Sequence, residues 1–255
     1  MKIMVTNDDG IWADGINVLA KTLLEHGYEI TVVAPDRPKS ASSHAITLDM
    51  ILPLREVKMP CGCKGYAVVN GSPSDCVLIG IGDIVKDADI IISGINHGAN
   101  VGHDILYSGT VAAAIEGILH GIPSIAVSVD SWEGEYADSA ANVVIDLLKS
   151  GIHSILSSRF VLNVNVPSIP KDNIVGYKLT RMGGPAFEDW VVKRVDPRGR
   201  VYYWLDGRPI YEDEEDTDIW AIKHGYVSLT PISLDMTGYE YMDVIKDFLN
   251  KLSTD

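Results

Sequence analysis

The hydrophobic pattern alternates between short, nearly unbroken apolar runs and longer segments with helical periodicity. Residues 1–5 form an apolar run that empties into Thr6-Asn7-Asp8-Asp9-Gly10, and Ile16, Leu19, Ala20, Leu23 and Leu24 then recur at helix spacing. The pattern predicts a buried strand, a tight turn carrying two adjacent carboxylates, and a helix from about Gly15 to His26 capped by Gly27. Ile30–Ala34 reads as a second strand stopped by Pro35, and residues 46–54 and 66–69 as added β structure. Ser72-Pro73-Ser74-Asp75 predicts a helix start, with Ser72 as cap, and the helix runs toward Val85. Asp89–Ser93 is a short buried strand that opens into a glycine-rich loop, residues 94–104. A helix over Val111–His120, a strand over Ser124–Val129, a helix over Ala137–Lys149 and a strand over Phe160–Val166 follow. Repeated strand–helix units imply an α/β fold with a mostly parallel sheet and helices on both faces.

After Pro167 the pattern changes. Trp190–Val195 and Val201–Leu205 are aromatic and β-rich around the turn Asp196-Pro197-Arg198-Gly199, which predicts a projecting hairpin. Glu212–Asp218, with six acids in seven residues, reads as a solvated loop before a helix over Ile219–His224. A strand over Tyr226–Leu229 and a terminal helix over Glu240–Leu252 complete the chain. The expected organisation is an α/β core over residues 1–167 and a hairpin-and-helix extension over 168–255, with no low-complexity linker between them.

Composition changes this picture little. The 255 residues are 46% hydrophobic and 22% charged, values ordinary for a globular protein. The net charge of −14 argues against a binder of nucleic-acid polymers, which presents a basic face. Cys61, Cys63 and Cys76 have no second Cys or His cluster beside them and read as reduced thiols. No apolar run approaches the ~20 residues of a membrane span, and no signal segment precedes the first strand. The expectation is a cytoplasmic protein without a membrane partner.

Three strand-end loops carry the candidate chemistry. The first holds Asp8 and Asp9, whose mutual repulsion calls for a cation. The second holds Lys39, Ser40, Ser42, Ser43 and His44; the third holds Asn96, Asn100 and Asp104 and leads to Ser108-Gly109-Thr110 at a helix start. Carboxylate, amide and hydroxyl oxygens are hard ligands that suit Mg²⁺ or Mn²⁺. A helix start with free N–H groups and hydroxyls suits phosphate. Metal and phosphate together point to phosphomonoester hydrolysis. Each piece also has a plain structural explanation: an acidic turn, a polar serine loop, glycines and asparagines serving turns, and Ser108 as a helix cap. His44, His97 and His103 read as loop histidines, one of which could donate a proton to a leaving group.

The segments Val5–Ile11, Ala34-Pro35-Asp36 with Ser40, Gly71–Val77, Ser93–Gly102 and Tyr107–Gly117 resemble, in the same order, those of the SurE survival-protein nucleotidases. The resemblance covers nearly the whole chain, including the aromatic hairpin and Gly225–Pro231. It implies a Rossmann-like body and a C-terminal extension used in oligomerisation, as a homodimer or a tetramer. It implies one divalent cation per subunit, Mg²⁺ or Mn²⁺, held by Asp8, Asp9, Ser40 and Asn96. It places phosphate contacts at Ser108, Gly109 and Thr110, and Asn100 is taken with them. The implied reaction is hydrolysis of nucleoside 5′- and 3′-monophosphates, with short polyphosphate as a further substrate. Asp8 and Asp9 are the catalytic candidates; the attacking group is a water or one of these carboxylates. Two departures stand out: Ser43 occupies a position where many members have Gly, and Gly71-Ser-Pro-Ser-Asp75 replaces the commoner Gly-Thr-Pro-Ala-Asp.

Other classes fit less well. A phospho-receiver domain needs an acceptor Asp at the end of a middle strand, where Ser93-Gly-Ile-Asn96 stands. An Asp-x-Asp phosphatase needs its second Asp at position 10, which is Gly. A nucleotide-binding module without catalysis is separated from an enzyme by turnover of p-nitrophenyl phosphate with and without EDTA.

Overall fold

In a computed structural model the described residues are 1–156, 159–184, 187–188, 191–205, 207–209 and 214–252. Trp190 of the expected hairpin and residues 212–213 of the acidic run lie outside them. The strands are β1 (Lys2–Thr6), β2 (Glu29–Pro35), β3 (Leu54–Lys58), β4 (Lys64–Val68), β5 (Ile90–His97), β6 (Ser124–Val129) and β7 (Phe160–Val166). They continue with β8 (Gly176–Leu179), β9 (Phe187–Glu188), β10 (Val191–Val195), β11 (Val201–Leu205), β12 (Arg208–Pro209) and β13 (Tyr226–Ser233). The helices are α1 (Asp14–Glu25), α2 (Pro73–Ile79), α3 (Gly109–Leu119), α4 (Ala137–Lys149), α5 (Asp218–Lys223) and α6 (Met242–Leu252).

Nine strands form one sheet in the order β3-β4-β2-β1-β5-β6-β7-β13-β8. The run from β4 to β7 is parallel, while β3 pairs antiparallel with β4 and β13 antiparallel with β7. The apolar runs are continuous because both faces are covered. Ile3 and Val5 pack with Ile16 and Leu19 of α1 and with Ala140 and Val144 of α4. Met4, pointing the other way, packs with Val77 of α2 and Ala113 of α3. Consecutive β1 neighbours lie on opposite sides, β2 on one and β5 on the other, so the chain reverses direction across the sheet at the end of β1. Ligand sites of open α/β sheets lie outside the strand ends at this switch point.

Several expected boundaries shift. Residues 46–53 carry no regular element and the strand begins at Leu54. The cause lies at Thr47, whose N–H and hydroxyl donate to the two Asp75 oxygens (2.9 and 2.6 Å) and draw the segment onto the α2 capping box. The helix expected to reach Val85 is α-helical only to Ile79 and continues as a π-helical turn, Gly80–Ile84. A Cβ at Gly80 would lie 2.3 Å from the Met4 side chain, so the glycine lets this segment lie flat on the sheet. β5 runs to His97, beyond the expected Ser93, with an irregularity between Ser93 and Asn96.

Beyond residue 167, β8 and β13 return to the main sheet. The hairpin β10–β11 is paired from Val191–Leu205 to Val195–Val201, and Tyr202, Tyr203, Trp204 and Leu205 are exposed on it. α6 leaves Val244, Ile245, Phe248, Leu249 and Leu252 exposed. Among the described residues no helix is long and apolar enough to cross a membrane.

Candidate active site

The turn after β1 is braced by Asn7, which is fully buried: its Nδ2 donates to Gly10 O (3.0 Å) and its Oδ1 accepts from Gly10 N (3.2 Å). Gly10 has φ +95, and a Cβ there would also meet the Arg37 backbone at 3.0 Å. The turn therefore requires glycine on both counts, and its geometry fixes the two residues between Asn7 and Gly10.

Asp8 is almost completely buried. Its Oδ1 accepts a hydrogen bond from the Thr110 hydroxyl, and its main-chain O accepts from Lys39 N at 2.7 Å. Burial, with a further push from Asp9, raises the Asp8 carboxyl to about 6 against the opposing hydroxyl and N–H of Thr110. Asp9 is half-buried and is also pushed up by burial, against the His97 N–H that donates to its Oδ2 at 3.3 Å. Among the described residues no Lys, Arg or His side chain forms an ion pair with either carboxylate. Two neighbouring acids held up in this way gain from a nearby positive charge.

The third loop meets them from β5. Asn96 donates through Nδ2 to Gly98 O (2.8 Å), which leaves its oxygen end for another partner, and the residue after it binds Asp9. Gly109, the first residue of α3, makes the closest approach: a Cβ there would lie 2.8 Å from Asp8 Cβ, 2.8 Å from Ser42 Oγ and 3.0 Å from Asp8 Oδ2. Ser42 Oγ is buried and has no hydrogen-bond partner among the described residues. Ser40 is exposed and directly follows the Lys39 N–H that meets Asp8.

The two hydroxyls expected to face a phosphate are already engaged. Ser108 Oγ caps α3 by accepting from Val111 N (3.1 Å), and Thr110, fully buried, serves Asp8. Gly109 remains the residue of this trio whose surface faces Asp8 without a side chain. Asn100 is fixed from β6 and β7. Its Nδ2 donates to Ser128 Oγ, its N–H to Asn165 Oδ1, and its O accepts from Asn163 and Asn165, all at 2.8–3.0 Å. Asp104 is half-buried and its carboxyl is raised by burial. Asp218 at the start of α5 accepts from Gly102 and Gly183 N–H groups at 2.9 and 2.8 Å and so ties the glycine-rich loop to the C-terminal segment.

Sequence reasoning did not single out Ser128, Asn163, Asn165, Glu116 or Asp218. The available signal was polarity in an apolar period: Asn-Val-Asn inside β7, and one acid among the small apolar residues of α3. No group of three or more His, Cys, Asp or Glu side chains converges as a metal site among the described residues. A cation at Asp8 and Asp9 would therefore complete its shell with amide and hydroxyl oxygens. The donor set present, two unpaired carboxylates with the Asn96 and Ser40 oxygens on the flanking loops, fits a hard divalent ion. The three cysteines are free thiols; Cys61 and Cys63 touch at 3.0 Å through sulfur, on the β3–β4 turn.

Fold and site together define an α/β protein with an acidic strand end at the switch point, opposed by a helix N-terminus, an arrangement suited to a cation and a phosphate. The sequence model described as "Survival protein SurE" matches residues 3–189. The chain belongs to the SurE family. It is 46% identical over 254 residues to "5'-nucleotidase SurE" of Pelotomaculum thermopropionicum, covering 98% of this chain and 95% of that protein. It is 45% identical over 255 residues to "5'/3'-nucleotidase SurE" of Proteus mirabilis, covering 98% and 97%. The crystal structure of the SurE protein from Aquifex aeolicus superposes with a TM-score of 0.85 at 39% identity, covering 97% of this chain and 99% of that one.

Proposed function

We propose that this chain is a phosphomonoesterase that hydrolyses nucleoside 5′- and 3′-monophosphates to nucleoside and phosphate and requires a divalent cation. Family membership supports the substrate class, through the names its relatives carry. The observation that carries the reaction is the meeting of Asp8 with the α3 start, where Gly109 leaves room against the carboxylate and Thr110 holds it.

Asp8, Asp9, Ser40 and Asn96 would hold one Mg²⁺ or Mn²⁺ per subunit. When bound, such an ion supplies positive charge against the phosphoryl oxygens and the charge that develops on them. Thr110 fixes the Asp8 rotamer through its hydroxyl, and the Asn7–Gly10 brace fixes the turn that carries both acids. Gly109 and Ser108 line the phosphate side, and the Asn100 network holds the loop that leads into them. Residues 1–167 carry all of these groups.

We assign association to the remainder: the bare hairpin face and the apolar stripe of α6 would be covered in a homodimer. The test of the reaction is release of phosphate from AMP with Mg²⁺ or Mn²⁺, with EDTA, and in Asp8→Asn. The expected result is turnover that EDTA and Asp8→Asn both abolish. Turnover that survives EDTA, or an Asp8→Asn variant with undiminished activity, refutes the reading.

A further inference from the structure

Glu116 is the one ionisable residue of α3 and is buried, 6% exposed. A carboxylate can only accept, and both of its oxygens are filled by ring N–H groups: His44 Nε2 donates to Oε2 at 2.7 Å and His120 Nε2 to Oε1 at 3.1 Å. Neither histidine is placed in the reaction above. His120 lies on the same stretch of chain, directly after α3, and ties Glu116 to nothing distant. His44 comes from the second strand-end loop, 72 residues away in sequence.

That loop is strained. Ala41 has φ 55 and Ser43 φ 50, so two of three successive residues adopt a left-handed conformation without being glycine. Such backbone persists only where its surroundings over-determine it. At one end Lys39 N–H is fixed to Asp8 O (2.7 Å). At the other, Ser43 donates through N–H to Tyr107 O (3.0 Å) and through Oγ to Leu106 O (2.8 Å), and His44 closes onto Glu116. Between these anchors stand Ser40 and Ser42, the latter with a buried hydroxyl beside Gly109 that lacks a partner among the described residues. Ser43 is also the position at which glycine is common in the family that this sequence resembles. A side chain there makes the left-handed bend costlier and the anchors more necessary.

We propose that the His44–Glu116 hydrogen bond is a latch that holds the 39–44 loop in this conformation and thereby positions Ser40 and Ser42 at the acidic strand end. The inference rests on the proposed function. His44 and Glu116 are positioning residues that act through the 39–44 loop. With the latch removed, Ala41 and Ser43 relax toward negative φ, and both serines leave the site while α3 and the sheet keep their packing.

The test compares His44→Ala, His44→Phe and His120→Ala with wild type by Mn²⁺ calorimetry, AMP kinetics, metal-free melting and amide exchange over residues 40–44. His44→Phe keeps the ring's bulk and lacks the donor, so it serves where the alanine variant does not fold. Both His44 variants should bind Mn²⁺ about tenfold more weakly, the loss of one charge-assisted hydrogen bond. Their kcat/KM should fall by a similar factor. Exchange at Ser43 should rise about tenfold in the metal-free chain, with a melting midpoint within about 3 °C of wild type. His120→Ala should change none of these. Wild-type Mn²⁺ affinity in a folded His44 variant overturns the latch, as does a loss in His120→Ala equal to that in His44→Ala. A wild-type chain that takes up no Mn²⁺ and hydrolyses no AMP refutes instead the function on which the latch rests.

Discussion

Gly109→Ala isolates the closest contact of the site. The added methyl would sit 2.8 Å from Asp8 Cβ and from Ser42 Oγ, and 3.0 Å from Asp8 Oδ2. Carbon contacts are comfortable only beyond about 3.5 Å, so Asp8 and the serine loop must retreat by roughly 0.7 Å or more. Asp8 cannot give way as the free end of a flexible side chain would. Asp8 is held by the Thr110 hydroxyl and its own carbonyl by Lys39 N. Overpacking of this kind costs about 1–3 kcal/mol, and replacing a helical glycine by alanine returns about 1 kcal/mol. For a chain of this length the balance, about 0–2 kcal/mol, lowers the melting temperature by at most about 8 °C. Turnover is far more sensitive, because a misplacement near 1 Å can cost about 100-fold. Phosphate release from AMP and thermal melting, measured on one preparation, give both numbers. Gly82→Ala is the control, since a Cβ there meets nothing within 4 Å. A Gly109→Ala variant with activity within about threefold of wild type would show that the α3 start and Asp8 do not work as one site.

The buried acid also predicts a pH dependence. With the Asp8 carboxyl raised to about 6 by burial, the native chain binds more protons than the unfolded chain between about pH 4 and 6. Stability from this group is complete below pH 4, is lost as pH rises through 6, and levels off above. Asp8→Asn should remove that loss and raise the metal-free melting temperature at pH 8, by an amount equivalent to roughly 2–3 kcal/mol; scans at pH 4.5 and 8 that show no difference between variant and wild type would contradict it. Asn165→Leu strips two hydrogen bonds from the Asn100 backbone and leaves its N–H buried without a partner. A loss of about 2–4 kcal/mol in urea unfolding is expected. On the association surface, Trp204→Glu and Phe248→Glu place charge on the exposed hairpin and α6. Sedimentation should show a dimer for wild type and a monomer for the pair, and a monomeric wild type would refute that role.

What the sequence makes legible here follows from where each signal is stored. The parallel strands are apolar runs bounded by glycine and proline, and β6, α4 and β7 begin and end at the residues their pattern marks. Residues 46–53 misled because Ile46, Leu48 and Met50 alternate like a strand although they are exposed; their path is set by Thr47 on Asp75, a contact that periodicity does not contain. The β13 strand runs four residues past the visible signal, because its last four residues draw their order from pairing with β7.

The site divides in the same way. Asp8, Asp9 and Asn96 are legible because each stands just past an apolar run, at or near the end of a strand. The pairing of Glu116 with His44 is not legible, because one is a lone acid in an apolar helix and the other one polar residue in a polar loop, and each becomes meaningful only opposite the other. Thr110 shows the same limit in sharper form. From sequence, a hydroxyl and free N–H groups at a helix start suit any anion; which anion takes them depends on what the fold sets opposite, and here it is the carboxylate of Asp8, 102 residues earlier. Gly109 follows from that pairing. In sequence it is the middle residue of a helix start, yet no unusual backbone angle calls for glycine there. What calls for it is the carboxylate it faces: with the helix end turned onto a buried acid, the residue between them has no room for a side chain.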